Sequence, residues 1–349
     1  VLHLRKEYDA QLPLIFMNSF RTSADTMAAL ARYDGLPVEG LPLEFWQNKE
    51  PKLLEKDLSP AAYPKNPDLE WCPPGHGDLY TALRGTGLLE RLIEQGFQRV
   101  FVSNSDNLGA VPDPRVAGWF AASGAPFAIE AVRRTASDRK GGHFARRKSD
   151  GRIVLRETAQ TLPEDLTALA DLDRHRFCST NNLWFDLVAM RHELDQRGGI
   201  LGLPLIRNLK TLDPGDSSTP KVIQIETAMG AAIEIFEDAR TLEVGRDRFI
   251  PVKTTNDLLV LRSDVYDLGK DFGLDPAGEV PFVELAPEFY KLVGDFDQRF
   301  PEGAPSLRKA RSLKVDGDFT FGHGVQVLGD VELESDAAKR IPADTVLDG

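Results

Sequence analysis

Cysteine is nearly absent: Cys72 and Cys178 are the only two in 349 residues, which excludes a disulfide framework and a zinc site built on several thiolates. A reducing, cytoplasmic setting is expected. No apolar run approaches the roughly 18 residues of a membrane span, and no basic segment leads into an apolar stretch near the amino terminus. Positive charge is also in deficit. With 42 Lys and Arg against 54 Asp and Glu, the formal net charge of −12 excludes a general nucleic-acid surface, because phosphate neutralisation needs clustered cations. GxSxG, HExxH, CxxC and the Walker lysine loop are missing too, which leaves triad hydrolysis and zinc proteolysis without support.

What is present concentrates in two segments, Trp71-Cys-Pro-Pro-Gly-His-Gly-Asp78 and Val100-Phe-Val-Ser-Asn-Ser-Asp-Asn-Leu-Gly-Ala110. Gly75 and Gly77 flank His76 on a proline-stiffened turn, where missing Cβ atoms let main-chain N–H groups approach a planar base or a phosphate. A plain turn with an incidental histidine is the competing reading. The second segment displays a carboxylate, Asp106, beyond the end of an apolar strand.

Short apolar runs alternate with longer amphipathic stretches, the pattern of an α/β sheet with helices on both faces. The spacing predicts a doubly wound, parallel-type core. Expected elements include a strand at 12–17, a helix capped by Ser23 or Asp25, a helix over 86–95 feeding a strand at 99–102, and apolar runs at 127–132 and 153–155. The final part differs. Leu313, Phe319, Val325 and Val331 recur every six residues, and Val315, Phe321, Val327 and Leu333 do so in a second register. Two in-phase hexads predict a small parallel β-helix, with an ordinary meander as the alternative and Gly317 and Gly329 at the corners. A helix over 287–300 would join the parts, so the division is a main α/β domain at 1–284 and a linker helix with β-helix at 285–349.

Asp106 is the candidate metal ligand, since a strand-end carboxylate can hold Mg²⁺ together with substrate phosphates; a cap on the following turn is the alternative. Lys253 follows an apolar strand and precedes two hydroxyl residues, a placement suited to neutralising phosphate charge as a bond breaks. His76 can donate to an oxyanion or take part in proton transfer. Asn181, beside Asn182, offers amide groups for sugar hydroxyls, Glu157 can accept from one, and Gly142 would let a sugar close against backbone. The richest basic stretch, from Arg133 through Lys148, is either a phosphate site or a solvated face.

Eight segments then combine: Pro13-Leu-Ile-Phe-Met-Asn-Ser-Phe20, Pro73-Pro-Gly-His-Gly-Asp78, Phe101 to Ala110, Lys140-Gly-Gly142, Thr180-Asn-Asn-Leu-Trp184, Asn208-Leu-Lys-Thr-Leu-Asp213, Gln224-Ile-Glu-Thr-Ala-Met-Gly-Ala-Ala232 and Phe249-Ile-Pro-Val-Lys-Thr-Thr255. In order and number they resemble the eukaryotic-type UTP–glucose-1-phosphate uridylyltransferases, also called UDP-glucose pyrophosphorylases. The resemblance implies a glycosyltransferase-A-like nucleotide-binding core and a left-handed carboxy-terminal β-helix. It further implies that Gln47, Gly75, Asn104 and Asp106 meet the nucleotide, that His76, Asn181, Gly142 and Glu157 meet substrate, and that Lys253 is the catalytic phosphate-binding lysine. Mg²⁺ is the implied cofactor, and UTP, glucose 1-phosphate, UDP-glucose and pyrophosphate are the implied partners. The stacked edges of the β-helix would offer a surface for self-association.

The family's glycine-rich loop, with its Gly-Gly-Leu-Gly core and nearby lysine, has no counterpart in this sequence. The expectation is therefore a sequence cut from a longer protein and poor in turnover by itself. Two alternatives stay open: a uridylyltransferase for another sugar 1-phosphate, such as galactose or an N-acetylhexosamine, and a nucleotide-sugar-binding homologue without turnover.

Overall fold

The computed structural model describes residues 1–135, 138 and 142–349. The chain packs as two compact units, one of Val1–Ser103 with Pro112–Val244, the other of Asn104–Val111 with Gly245–Gly349. Among the described residues no helix is long and apolar enough to cross a membrane.

The first unit is organised by a six-stranded sheet whose longest member is Phe177–Asp186. Alternation along the strands builds two faces. Phe127, Ile129, Leu183 and Phe185 pack with Tyr80, Leu83, Leu89 and Met190 of the helices Leu79–Gly85, Leu88–Glu94 and Leu187–Gln196. Ala128 and Trp184 pack instead with Val116 and Phe120 of the helix Pro114–Ser123. Helices thus cover both sides, as the hydrophobic pattern predicts.

Strand direction is where the expectation is corrected. Phe177–Asp186 runs antiparallel to Arg99–Val102, Phe127–Arg133 and His143–Arg146, and within this sheet the pair of Arg240–Glu243 with Phe127–Arg133 is parallel. The sheet is mixed. A strand buried on both faces reads as a continuous apolar run whichever way it points, so direction left no mark on the pattern.

Capping follows local chemistry. Asp113, one residue before Pro114, accepts from the Arg115 N–H, and Asp186 accepts from the Val188 and Ala189 N–H groups. The expected cap at Ser23 or Asp25 is absent: the helix Ser23–Leu30 begins after Thr22 without a side-chain cap bond. The Ser23 hydroxyl donates to Glu44 Oε1 at 2.9 Å instead, and the Thr22 hydroxyl to Asn18 Oδ1 at 3.2 Å. These contacts divert both hydroxyls from the helix end, that of Ser23 to a partner 21 residues away.

In the second unit the strands Phe282–Leu285, Ser306–Phe321, Gln326–Ile341 and Val346–Asp348 pair in parallel. That excludes the meander. Leu313 faces Val331 and Val315 faces Leu333, three hexads apart, with Leu313, Val315, Phe319, Phe321, Val325, Val327 and Val331 all buried. Gly317 turns a corner at φ 128°, where the register shifts and no Cβ would clear the Ser335 carbonyl. The same core holds Leu259, Val260, Val265 and Val283, ahead of residue 285 where the expected linker helix placed the start of the carboxy-terminal part.

The helix expected over 287–300 is two, Pro287–Tyr290 and Val293–Arg299, separated by an extended Leu292. The break lets Tyr290 and Phe296 both enter the core, and the Tyr290 hydroxyl donates to the Phe319 carbonyl at 2.9 Å. Truncating Leu313 to alanine should remove one layer of coil packing and cost about 2–5 kcal/mol in urea denaturation followed by circular dichroism. A loss below about 1 kcal/mol would show that the hexads do not carry the β-helix.

Candidate functional site

In the first unit the glycine turn is pressed onto the segment Thr227–Met229. Gly75 has φ 81°, and a Cβ there would stand 2.8 Å from the Thr227 carbonyl oxygen and 2.9 Å from Glu226 Cβ; one on Gly77 would overlap Thr227. Both positions therefore need glycine. The Thr227 N–H donates to the Pro74 carbonyl at 2.9 Å, and the buried Tyr80 hydroxyl donates to the Met229 carbonyl at 2.8 Å. The Met229 N–H donates to His76 Nδ1 at 3.1 Å. In the neutral ring the proton must then sit on Nε2, which makes His76 a donor through that atom.

Gln47 follows the strand Glu44–Trp46 and precedes Asn48, which binds Asp78 at the end of the turn. The N–H of Gln47 donates to the Asn18 carbonyl at 2.9 Å, and its Oε1 is buried without a hydrogen bond. Asp78 is also buried and accepts from the N–H and side-chain amide of Asn48. Burial pushes the Asp78 carboxyl up against the downward pull of those two bonds, and burial followed by the Asp78 charge pushes Glu50 up as well.

Asn181 projects from a bulge in the Phe177–Asp186 strand, in the left-handed region at φ 58°. Its N–H donates to the Ser179 hydroxyl at 3.0 Å, and its Oδ1 lies 3.5 Å from where a Cβ on Gly230 would stand. The bulge is held from beneath by Glu130. That buried carboxylate accepts from Asn182 Nδ2 at 3.0 Å and Trp184 Nε1 at 2.9 Å, while its carbonyl accepts from the Thr180 hydroxyl at 2.9 Å. Gly142 abuts Glu157, whose Oε2 lies 2.5 Å from a Cβ built on the glycine.

In the second unit a short antiparallel bridge joins Asn107 to Pro251. The Val252 N–H donates to the Asp106 carbonyl at 2.8 Å, and the Leu108 N–H to the Ile250 carbonyl at 3.0 Å. Asn107 is the staple: its Nδ2 donates to the Arg248 carbonyl at 3.1 Å, and its Oδ1 accepts from the Ile250 N–H at 2.9 Å and the Gly109 N–H at 3.2 Å. Asn104 belongs to the same turn, its carbonyl accepting from the Asn107 N–H at 3.2 Å. This bridge ties the segment of Asp106 to that of Lys253, and the apolar strand expected before Lys253 is reduced to this single bridged residue, Pro251. Asp106 Oδ1 is buried and has no hydrogen bond, so the carboxylate is not spent on capping. Lys253 is exposed, and its backbone N–H donates to Asp257 Oδ2 at 2.9 Å, beside the capping box that Thr254 and Asp257 form at the start of the helix Thr255–Arg262.

The profile of the family described as UTP–glucose-1-phosphate uridylyltransferase matches residues 1–328. The enzyme of that name from Hordeum vulgare is 36% identical over 352 residues, covering 99% of this chain and 72% of its own length. The chain belongs to the UTP–glucose-1-phosphate uridylyltransferase family. A probable member from Schizosaccharomyces pombe is 34% identical over 344 residues, 97% of this chain and 66% of its own. Among solved structures, one described as UDP-glucose phosphorylase from Trypanosoma brucei superposes with a TM-score of 0.93 at 40% identity, covering 99% of this chain and 76% of that one. A variant UDP-glucose pyrophosphorylase from Leishmania major, in complex with UDP-glucose, gives 0.91 at 43% identity with the same coverage.

Three residues of this uridylyltransferase-family chain escaped the motif reading: Asn107, Glu130 and Asp78. Asn107 and Asp78 lie inside the quoted segments, but only their hydrogen bonds single them out. The basic stretch is absorbed largely by structure: Arg133 pairs with Glu243, Arg147 with Glu234, and buried Arg134 donates to the Leu169 and His175 carbonyls. Lys140 and Gly141, part of the Lys140-Gly-Gly142 segment, lie outside the described residues.

Next to Gly142, His143 is fully buried, stacks on His175 at 3.9 Å between ring centroids, and has no hydrogen bond on either ring nitrogen. Burial first, then the His175, Arg134 and Arg156 charges, pull its basicity down to about 3. A histidine depressed in the fold is neutral there while the unfolded chain takes up a proton below about pH 6.5, so stability is full above that pH and falls as pH drops toward 3. The slope from this residue is at most about 1.4 kcal/mol per pH unit. Urea midpoints between pH 7 and 5 should fall less steeply for His143→Phe, and parallel curves would show that the buried ring does not couple to pH.

Proposed function

We propose that the chain transfers the uridylyl group of UTP to glucose 1-phosphate, with Asp106 as the Mg²⁺ ligand and Lys253 as the residue acting on the reacting phosphates. The chain is a nucleotidyltransferase by family. The observation that supports the assignment of roles is the bridge between Asn107 and Pro251, which ties the segment of Asp106 to that of Lys253. A phosphate oxygen of glucose 1-phosphate attacks the α-phosphorus of UTP in line. The bond from that phosphorus to the oxygen bridging the β-phosphorus breaks, and its electron pair leaves with pyrophosphate. No covalent intermediate with the protein is required, so positioning and charge neutralisation supply the catalysis.

The unbonded Asp106 oxygen fits a hard cation. Among the described residues no group of three His, Cys, Asp or Glu side chains gathers to hold a metal. When bound, Mg²⁺ supplies charge neutralisation at the triphosphate. Gln47, Gly75 and Asn104 take the nucleotide in this reading, His76 donates from Nε2 to a substrate oxygen, and Asn181, Gly142 and Glu157 meet the sugar. The buried thiols Cys72 and Cys178 support a reducing, cytoplasmic location.

Lys253→Ala should lower kcat by about 100-fold or more while UDP-glucose affinity changes less than about threefold, because a charge met mainly in the transition state raises kcat. Equal losses in both would make the lysine a binding residue. Asp106→Asn should raise the Mg²⁺ concentration for half-maximal rate by about tenfold or more. Pyrophosphate release from UTP across glucose, galactose and N-acetylglucosamine 1-phosphates ranks the sugar, and a preference for the N-acetylated substrate would sink the glucose assignment.

A further inference from the structure

The carboxylate that ends the Gly75-His-Gly-Asp78 run is given no part in the chemistry above. It nonetheless joins two separate segments of the first unit. Asp78 Oδ2 accepts from the backbone N–H of Asn48 at 2.6 Å and Oδ1 from the Asn48 side-chain amide at 2.7 Å. Two donors of one residue on two oxygens of one carboxylate leave Asn48 little rotational freedom. Asn48 directly follows Gln47, which is held on its other side by the bond from its N–H to the Asn18 carbonyl. Asp78 itself closes the short helical turn His76–Asp78, so it moves with Gly75 and His76.

We propose that Asp78 is the positioning residue for base recognition: by clamping Asn48 it fixes Gln47, with its buried and unbonded Oε1, against the Gly75–His76 turn. The proposal rests on the reading of Gln47 as a nucleotide contact. A buried carboxylate is a costly way to fill space, and an apolar side chain of similar volume would serve packing alone at lower cost. What the carboxylate supplies is acceptance at both oxygens, which aspartate offers and asparagine does not.

The test compares Asp78→Asn, the exchanged double variant Asp78→Asn with Asn48→Asp, and Gln47→Ala, measuring kcat and KM for UTP and the ratio of kcat/KM between UTP and CTP. Asp78→Asn should raise KM for UTP about tenfold and erode the preference for UTP, with kcat changed less than about threefold. The exchanged variant should recover most of the loss, because the new asparagine still accepts the backbone N–H and donates to the new carboxylate. Gln47→Ala should reproduce the loss of preference. A fall in kcat and in active protein with KM and the UTP preference intact, or no recovery on exchange, would overturn the proposal. If Gln47→Ala erodes the preference and Asp78→Asn does not, the clamp is wrong and the base contact stands. If Gln47→Ala changes neither KM nor preference, the base contact itself fails and the clamp falls with it. Should Asp78→Asn not fold, Asn48→Ala, which trims an exposed side chain and loses one of the two bonds, decides the matter: a KM rise of about threefold or more supports the clamp, and an unchanged KM overturns it.

Discussion

The docking of the glycine turn onto Thr227–Met229 is the constraint on which the first unit's site depends. One strand end meets the turn through two main-chain donors: the Thr227 N–H reaches Pro74 and the Met229 N–H reaches His76 Nδ1. Tyr80, from the helix that follows, returns a bond to the Met229 carbonyl. The backbone can come this close only where Cβ atoms are missing, which explains glycine at 75 and 77 together rather than one at a time. The same segment continues to Gly230, beside which Asn181 stands. One short stretch of chain thus bears on the turn, on the histidine's tautomer and on the residue read as a sugar contact.

Buried polar groups do comparable work elsewhere. Glu130 holds the bulge that carries Asn181, Asn107 staples its loop to the residues before Lys253, and Asp78 grips Asn48. Asn107 and Asp78 each sit within two residues of a group read as functional, and Glu130 bonds the immediate neighbours of one. None is expected to touch a reacting atom; each removes freedom from a neighbour whose placement matters. The desolvation cost of such groups is offset by hydrogen bonds that an apolar replacement could not make.

Much of this was legible beforehand where periodicity or spacing carries the information. The hexads predicted parallel coils, and Leu313 against Val331 is the pairing they require. The strand-end aspartate, the paired glycines and the lysine before two hydroxyls were visible as residue types in suggestive places. Strand direction was not visible, because full burial of Phe127–Val132 erases it. The break at Leu292 and the diverted Ser23 hydroxyl were not visible either, since both depend on partners far along the chain.

The sequence by itself determined the two-sided α/β core, the β-helix repeat and the candidate side chains, since these follow from composition, local period and spacing, and the class of chemistry came with the family resemblance. Tertiary structure decided which of those side chains are held and by what. That Nδ1 of His76 is an acceptor, that one Asp106 oxygen is shielded and unbonded, and that Asp78 clamps Asn48 are facts about atoms distant in sequence. Hydrogen bonds of this kind have no period and leave no local signature, so they exist only once the chain has closed on itself.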